Sequence, residues 1–452
     1  MKTEEVVEFI CQTQFADIPA AAVDAAKTLI VDFCGVAIAG SREPASRIIS
    51  EYLRDVGARS EAGVIGCGFK SEPSLASLVN GTSAHALDYD DHSIKGNIHP
   101  TAAILPAILA LGELHRAPGK AILEAYIIGV EVATKIGVVV GPSQYETGWH
   151  TTATLGTMGA AAGASKLLRL DHDKVKASLG IAASLAGGLR QNFGTMTKPL
   201  HAGRASQNGV TAAALAERGF SASDKGLEGQ FGFGKVFGCQ RDLDLSGINL
   251  QLGTPFFLVS PGVDLKRYPS CGSTLCGIEA ALELRSQYPI HPGDVAEVEV
   301  RTHPMVPEVA IHHEPQTGTQ AKFSVQYCVS RALIKGDISL RDFTTEAVME
   351  SEVRQLMRKV RFITKDEDRK KKYSTATEVT VRMIDGRTYS KRVDIPKGDV
   401  ENPLTSEELG QKFRDCTSSV LPAANAERIS RLVSGLDQLS DIAEFMELLT
   451  AV

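Results

Sequence analysis

The chain has 452 residues, of which 43% are apolar and 23% charged, and a formal net charge of −6. That length exceeds one ordinary hydrophobic core and predicts two domains. The acidic balance argues against a nucleic-acid binder, so an anionic small ligand would have to be met by individually placed cations.

In chain order, the first 260 or so residues are rich in Ala and Gly and show long helical patterns. Ala21–Ala39 carries apolar residues on most faces and reads as a buried helix. Similar runs cover Pro100–Leu114, Lys120–Val140, Thr154–Leu168, Val175–Leu185 and Ser206–Arg218, and strand patterns are nearly absent. The character changes near Leu265. Asp294–Thr302 alternates apolar and polar residues, the period of a half-buried strand. Glu378–Asp394 holds two strand-like runs around Asp385-Gly386, a strong hairpin signal. Helical patterns lie between, over Gly272–Gln287, Ala321–Ile334 and Thr345–Lys359. After Pro403 the chain is helical again, with Thr405 as N-cap and Glu408 at the third position of a capping box. The expected fold is mostly α: a helical domain over 1–265, completed by 399–452, and a smaller α/β domain over 266–398.

Eight cysteines are scattered without C-x-x-C spacing: Cys11, Cys34, Cys67, Cys239, Cys271, Cys276, Cys328 and Cys416. They predict a reducing compartment, and neither a disulfide framework nor a zinc cluster. The N-terminal Met1–Phe15 carries acids where a signal peptide needs a basic start. The most apolar stretch, Ala102–Leu111, contains Pro106 and is too short to span a bilayer. A cytoplasmic location is expected. The basic run Lys365–Lys372 is interrupted by acids and reads as a solvated loop.

Five segments concentrate chemistry. His85-Ala-Leu-Asp88-Tyr-Asp90-Asp91-His92, followed by His99-Pro100, puts three carboxylates among three imidazoles. Such a cluster could ligate a metal, but the spacing fits no zinc or calcium pattern. It could equally do acid–base work, a carboxylate fixing the tautomer of an imidazole and tuning its pKa, or cap two helices. Trp149-His150 precedes a small-residue helix expected from Thr154, where backbone N–H groups would favour an anion; a helix-capping His150 is the plain alternative. Arg190 to Arg204 gathers Lys198, His201 and Arg204 in a turn-like stretch, with Lys198 restricted by Pro199. Lys266 to Leu275 contains Cys271 and Ser273 at the expected domain junction, a common place for a ligand. Pro315 to Tyr327 is a Gly-containing loop that leads into a helix, and its Tyr327 is either core or cleft. There is no P-loop, no G-x-G-x-x-G after a strand and no G-x-S-x-G elbow, so ATP-driven and redox chemistry are not expected.

At these residues the chain resembles the MmgE/PrpD family, which includes 2-methylcitrate dehydratases, cis-aconitate decarboxylases and iminodisuccinate epimerase. The blocks HALDYDDHSIKGNIHPTAAILPAILALGE, GWHTTATLGTMGAAAGASKLL, QNFGTMTKPLHAGRASQNGVTAA, KRYPSCGSTLCGIEAAL and AKFSVQYCVSRAL carry the resemblance, spread over residues 80 to 335. It implies a discontinuous helical domain with an inserted α/β lid, a homodimer, and no metal or organic cofactor. It implies acid–base chemistry on a small di- or tricarboxylate: dehydration or decarboxylation, or alternatively exchange of an α-proton. Carried over by position, Asp88, His99, His150, Lys198 and Tyr327 are the expected catalytic residues. His92, Thr154, His201, Arg204, Lys266, Cys271 and Ser273 are the expected substrate contacts. Leu275 stands where many relatives carry a histidine, which leaves room for an epimerase. A carboxylate-binding protein without catalysis is the reading of another class.

Overall fold

A computed structural model describes residues 2–238, 249–364 and 374–451. Cys239 and the run 365–372 lie outside the described residues. The chain divides into two compact units, Met1–Leu265 with Ser406–Val452, and Lys266–Thr405.

The helices of the first unit that carry or brace the site are α1 (Ala20–Gly40), α2 (Pro73–Ala86), α3 (Pro100–Leu114), α4 (Gly119–Val140), α5 (Thr151–Leu167), α6 (Thr197–Glu217) and α7 (Ser406–Thr417). Two starts differ from expectation. Helix α5 begins at Thr151 rather than Thr154. Helix α6 begins at Thr197, so Lys198, His201 and Arg204 stand on a helix rather than in a turn. Pro199 is the reason this is possible: in a first turn its missing N–H would have had no partner anyway. A small hairpin, β1 (Ala62–Val64) with β2 (Phe69–Ser71), was not foreseen, its strands being too short to show a period.

Small residues let these helices meet almost backbone to backbone. A Cβ added to Gly81 of α2 would stand 2.7 Å from Cα of Gly203 in α6, and one on Gly203 would stand 2.0 Å from the carbonyl oxygen of Leu78. Only glycine fits either position, and the contact fixes α6 against α2 near the end that carries His85. Pro106 interrupts the α3 ladder, and Ser206 of α6 accepts from the Ala107 N–H at 3.1 Å. Helix α7 brings Lys412 into this interior. Its Nζ lies 2.6 Å from Asp32 Oδ1 of α1, donates to the Tyr89 carbonyl at 2.7 Å, and sits 4.0 Å from the Tyr89 ring centroid.

The second unit is built on a four-stranded sheet of β3 (Val295–Thr302), β4 (Val360–Ile363), β5 (Thr377–Met383) and β6 (Thr388–Val393), in the order β4-β3-β5-β6. The β5–β6 hairpin turns at Asp385-Gly386, where Gly386 has φ +89°. Strand β4 adds to the expected order and pairs parallel with β3. Its four residues directly follow the helix Ser351–Met357, which hides their period. Strands β3 and β5 bury alternate residues against the helices Leu275–Gln287 and Val325–Lys335, giving this unit its own core. Among the described residues no helix is long and apolar enough to cross a membrane.

Lys412→Met should destabilise the protein by about 3–5 kcal/mol, because it removes the buried cation beside Asp32. The double variant Asp32→Leu/Lys412→Met should recover most of that loss, as read from urea midpoints of the three proteins. Equal midpoints for wild type and Lys412→Met would remove this pair as a determinant of stability.

Candidate active site

The segment between α2 and α3 is shaped before any chemistry is considered. His85 lies in the last turn of α2. Asp88 then takes φ +52°, a left-handed conformation that Asp tolerates better than most residues. Reciprocal backbone bonds join His92 to Asp264 at 2.9 and 2.7 Å, and Ser93 to Ile98 at 2.8 and 3.2 Å. His99 and His150 both occupy N-cap positions, of α3 and α5. Neither side chain caps its helix, so each ring is held at a helix N-terminus yet available to the site. The two termini are tied together where His99 N–H donates to Thr152 Oγ1 at 3.2 Å.

Three nearly consecutive carboxylates meet three different fates. Asp88 lies 3.0 Å from Lys198 Nζ. Lys198 stands in the first turn of α6, where the helix end repels a cation, and the Asp88 carboxylate offsets that. Asp90 Oδ2 accepts from His85 Nδ1 at 2.8 Å and lies 3.2 Å from His99 Nδ1. Burial alone would raise the Asp90 pKa, but the two imidazoles hold it well below the usual carboxylate range. Asp91 is pushed well above that range by burial, with the Asp90 and Asp32 charges adding to it. It faces Thr101 Oγ1 at 2.6 Å, and Thr101 in turn meets the Tyr126 hydroxyl at 2.5 Å. Their surroundings thus push the two neighbours apart, Asp90 toward the carboxylate and Asp91 toward the neutral acid.

Imidazoles line the same interior. Ring centroids lie 4.6 Å apart for His85 and His99, 5.8 Å for His85 and His150, and 5.2 Å for His150 and His201. Burial, helped by the Lys198 charge, pushes His85 and His201 down to about 4. Burial and the neighbouring cationic groups push His150 well below its ordinary value. These rings are neutral at pH 7 and able to accept protons. By accepting from His85 Nδ1–H, Asp90 leaves the proton-free nitrogen at Nε2, and that atom has no hydrogen-bond partner among the described residues. The same oxygen lies 3.2 Å from His99 Nδ1.

His85, Asp88, Asp90 and His99 also offer donor atoms all within 4.8 Å of one another, a group that could hold a metal ion. Lys198 already supplies the positive charge beside Asp88, and Asp90 receives the His85 Nδ1 proton. A divalent ion would have to displace both, so the donor set as arranged suits proton chemistry better.

The first unit thus brings together Asp88, His99, His150, Lys198 and His201 of the expected residues, with the His92 ring 5.9 Å from that of His99. Asp90 is the carboxylate that meets His85 and His99, while Asp88, in its left-handed turn, reaches Lys198. His85 and Asp90 were visible in the dense segment, but nothing in their spacing separated them from their neighbours. Thr154 is fully buried and its hydroxyl donates back to the Thr151 carbonyl at 3.3 Å. Arg204 is exposed and pairs with Gln207 at 2.5 Å. The other expected residues belong to the second unit. Tyr327 is fully buried, and its hydroxyl donates to the Asp342 carbonyl. Cys271 is a buried N-cap of the short turn Gly272–Thr274 that carries Ser273, and its N–H donates to the Lys322 carbonyl at 3.0 Å. Lys266 is fully buried, and Leu275 is part of that unit's core.

Residues 4–246 match the MmgE/PrpD N-terminal domain and residues 268–438 the MmgE/PrpD C-terminal domain. A cis-aconitate decarboxylase from Homo sapiens is 30% identical over 94% of this chain and 90% of that protein. One from Mus musculus is 29% identical over 94% and 88%, and one from Aspergillus terreus is 28% identical over 99% and 95%.

The depressed imidazoles make the fold sensitive to acid. At and above pH 6.5 their contribution to stability is complete. Between pH 6.5 and 4 the unfolded chain binds protons that the folded His85 and His201 refuse, so stability falls with pH. For His85 the loss should reach roughly 3 kcal/mol at the acid end. Urea midpoints measured from pH 7.5 to 4.5 should decline steadily; midpoints constant down to pH 5 would contradict the neutral, buried state of these rings.

Proposed function

The chain belongs to the MmgE/PrpD family, and on that premise we propose that it is a lyase acting on a small aconitate-like di- or tricarboxylate through acid–base groups of its own. The observation that carries the proposal is the Asp90 carboxylate set between His85 and His99, beside the Asp88–Lys198 pair. A carboxylate that takes the Nδ1 proton of an imidazole prepares the opposite nitrogen to move protons. Simple capture of an anion has no use for that arrangement.

In this reading Lys198 and the N-termini of α3 and α5 attract the substrate carboxylates. His99 Nε2 takes or returns a proton at the reacting carbon, and neutral His150 is the second acid–base group. Loss of CO2 leaves a carbanion that one of them protonates. Loss of water would instead couple removal of a carbon-bound proton to departure of a β-hydroxyl that needs an acid. The names of the three relatives favour decarboxylation. A homodimer and a cytoplasmic location are part of the same proposal. Leu275, standing where many relatives carry a histidine, favours one second reading: an epimerase that exchanges an α-proton and releases nothing.

Proton NMR in D2O with a panel of di- and tricarboxylates tests these readings together. Release of CO2 with a new alkene pattern supports decarboxylation, and a new alkene without CO2 supports dehydration. Loss of an α-proton signal alone supports epimerisation. Absence of turnover, with ligands still raising the melting temperature, would leave a binding protein. With the active substrate, His99→Ala and Asp90→Asn should each lower kcat by ~100- to 10,000-fold; wild-type turnover in either variant removes that residue from the mechanism.

A further inference from the structure

His150 and His201 face each other through their Nδ1 atoms, 3.0 Å apart. His150 is 2% exposed and ends the loop that enters α5, whereas His201, on the second turn of α6, is 8% exposed. Two neutral imidazoles in this arrangement hold one proton between them, since one Nδ1 must donate and the other accept. Their outer nitrogens then differ in kind. The ring that donates from Nδ1 has a proton-free Nε2, and the ring that accepts at Nδ1 carries Nε2–H. One proton hop across the contact inverts both rings at once.

We propose that His201 and His150 form a proton relay that carries protons from solvent to the reacting carbon. The proposal rests on the acid–base role of His150 given above. In the supplying direction, His150 gives its Nε2 proton to the substrate carbanion and receives at Nδ1 the proton of His201. His201 in turn receives a proton at Nε2 from water or a buffer acid. No charge remains on either ring. The pair resets when water enters the emptied site, reprotonating His150 Nε2 as His201 Nε2 releases its proton to solvent. A decarboxylation needs such a supply, because CO2 leaves without a proton and each turnover therefore draws one from the medium.

The surroundings keep the pair in working order. Lys198, one turn before His201 on α6, disfavours a standing positive charge on either ring. Phe193 packs edge-on against His150 at 5.0 Å, and the His85 ring stacks on it at 5.8 Å. Gly188 holds both partners. Its carbonyl accepts from His150 N–H at 2.9 Å, and with φ +147° it lies so close to His201 that a Cβ would stand 3.3 Å from Cγ of that ring. A side chain there would be strained by that φ, and its Cβ would press first on Ala153 Cβ, at 2.7 Å, and then on the His201 ring.

Two variants of the full-length enzyme test the proposal. His201→Gln keeps a hydrogen-bonding side chain beside His150 but cannot pass a proton, and His201→Ala leaves room for added imidazole. Both should lose about 100-fold in kcat with KM changed by less than about threefold. Imidazole, but not sodium chloride of equal ionic strength, should restore the alanine variant in a dose-dependent way. An unchanged kcat in His201→Gln overturns the relay, as does a raised KM at constant kcat, which would make His201 a substrate contact. Failure of imidazole to restore an alanine variant with the wild-type melting temperature overturns it too. If the wild-type protein turns over no carboxylate, the proposed function fails first, and 15N NMR of labelled imidazoles judges the pair separately. Shifts intermediate between the two tautomers in both rings support a shared, mobile proton, and one fixed tautomer in each ring refutes it.

Discussion

The buried ammonium of Lys412 braces the interior of the first unit. Lys412 enters from the C-terminal segment and is sequestered with Asp32, yet it also donates to the carbonyl of Tyr89, 323 residues away in sequence. Burying such a charge is unfavourable unless carboxylate and carbonyl partners surround it, and here they do. Tyr89 lies between Asp88 and Asp90. Fixing its carbonyl therefore fixes the peptide from which both carboxylates project, one toward Lys198 and the other toward the imidazoles. The tight Gly81–Gly203 crossing then holds α6, and with it Lys198 and His201, at the matching distance.

From that frame comes the sorting of charge that acid–base chemistry needs. Asp90 and Asp91 are adjacent in sequence, yet two imidazoles lower the pKa of one and burial raises that of the other. The imidazoles are kept uncharged by the same interior, with the Lys198 ammonium in their midst. Groups of one chemical type whose pKa values are pushed apart by their surroundings are what acid–base active sites are made of.

Much of this was legible in the residues. The Ala- and Gly-rich periods announced the helices, the Asp385-Gly386 hairpin was marked by its turn, and the dense His–Asp segment pointed to the site before any geometry was known. What could not be read was direction. Whether Asp88 or Asp90 meets an imidazole depends on one left-handed residue, and period arguments carry no sign of it. The pairing of His201 with His150 appears only when two segments 51 residues apart meet. The part played by Lys412 carries no local signal, since its partners are hundreds of residues away. The helical start at Thr197 was masked by a proline that usually signals a break but is at home in a first turn.

The discontinuity of the first unit sets an order of events during synthesis. Domains tend to form as the chain emerges, N-terminal parts first. Here residues 1–265 leave the ribosome with every site-forming helix except α7, and the whole second unit is then made before residue 412 appears. Until that moment Asp32 has no Lys412 beside it, and the peptide between the two carboxylates is not anchored. The helices that carry the site are thus made well before its anchor, which appears only once the whole second unit has been synthesised.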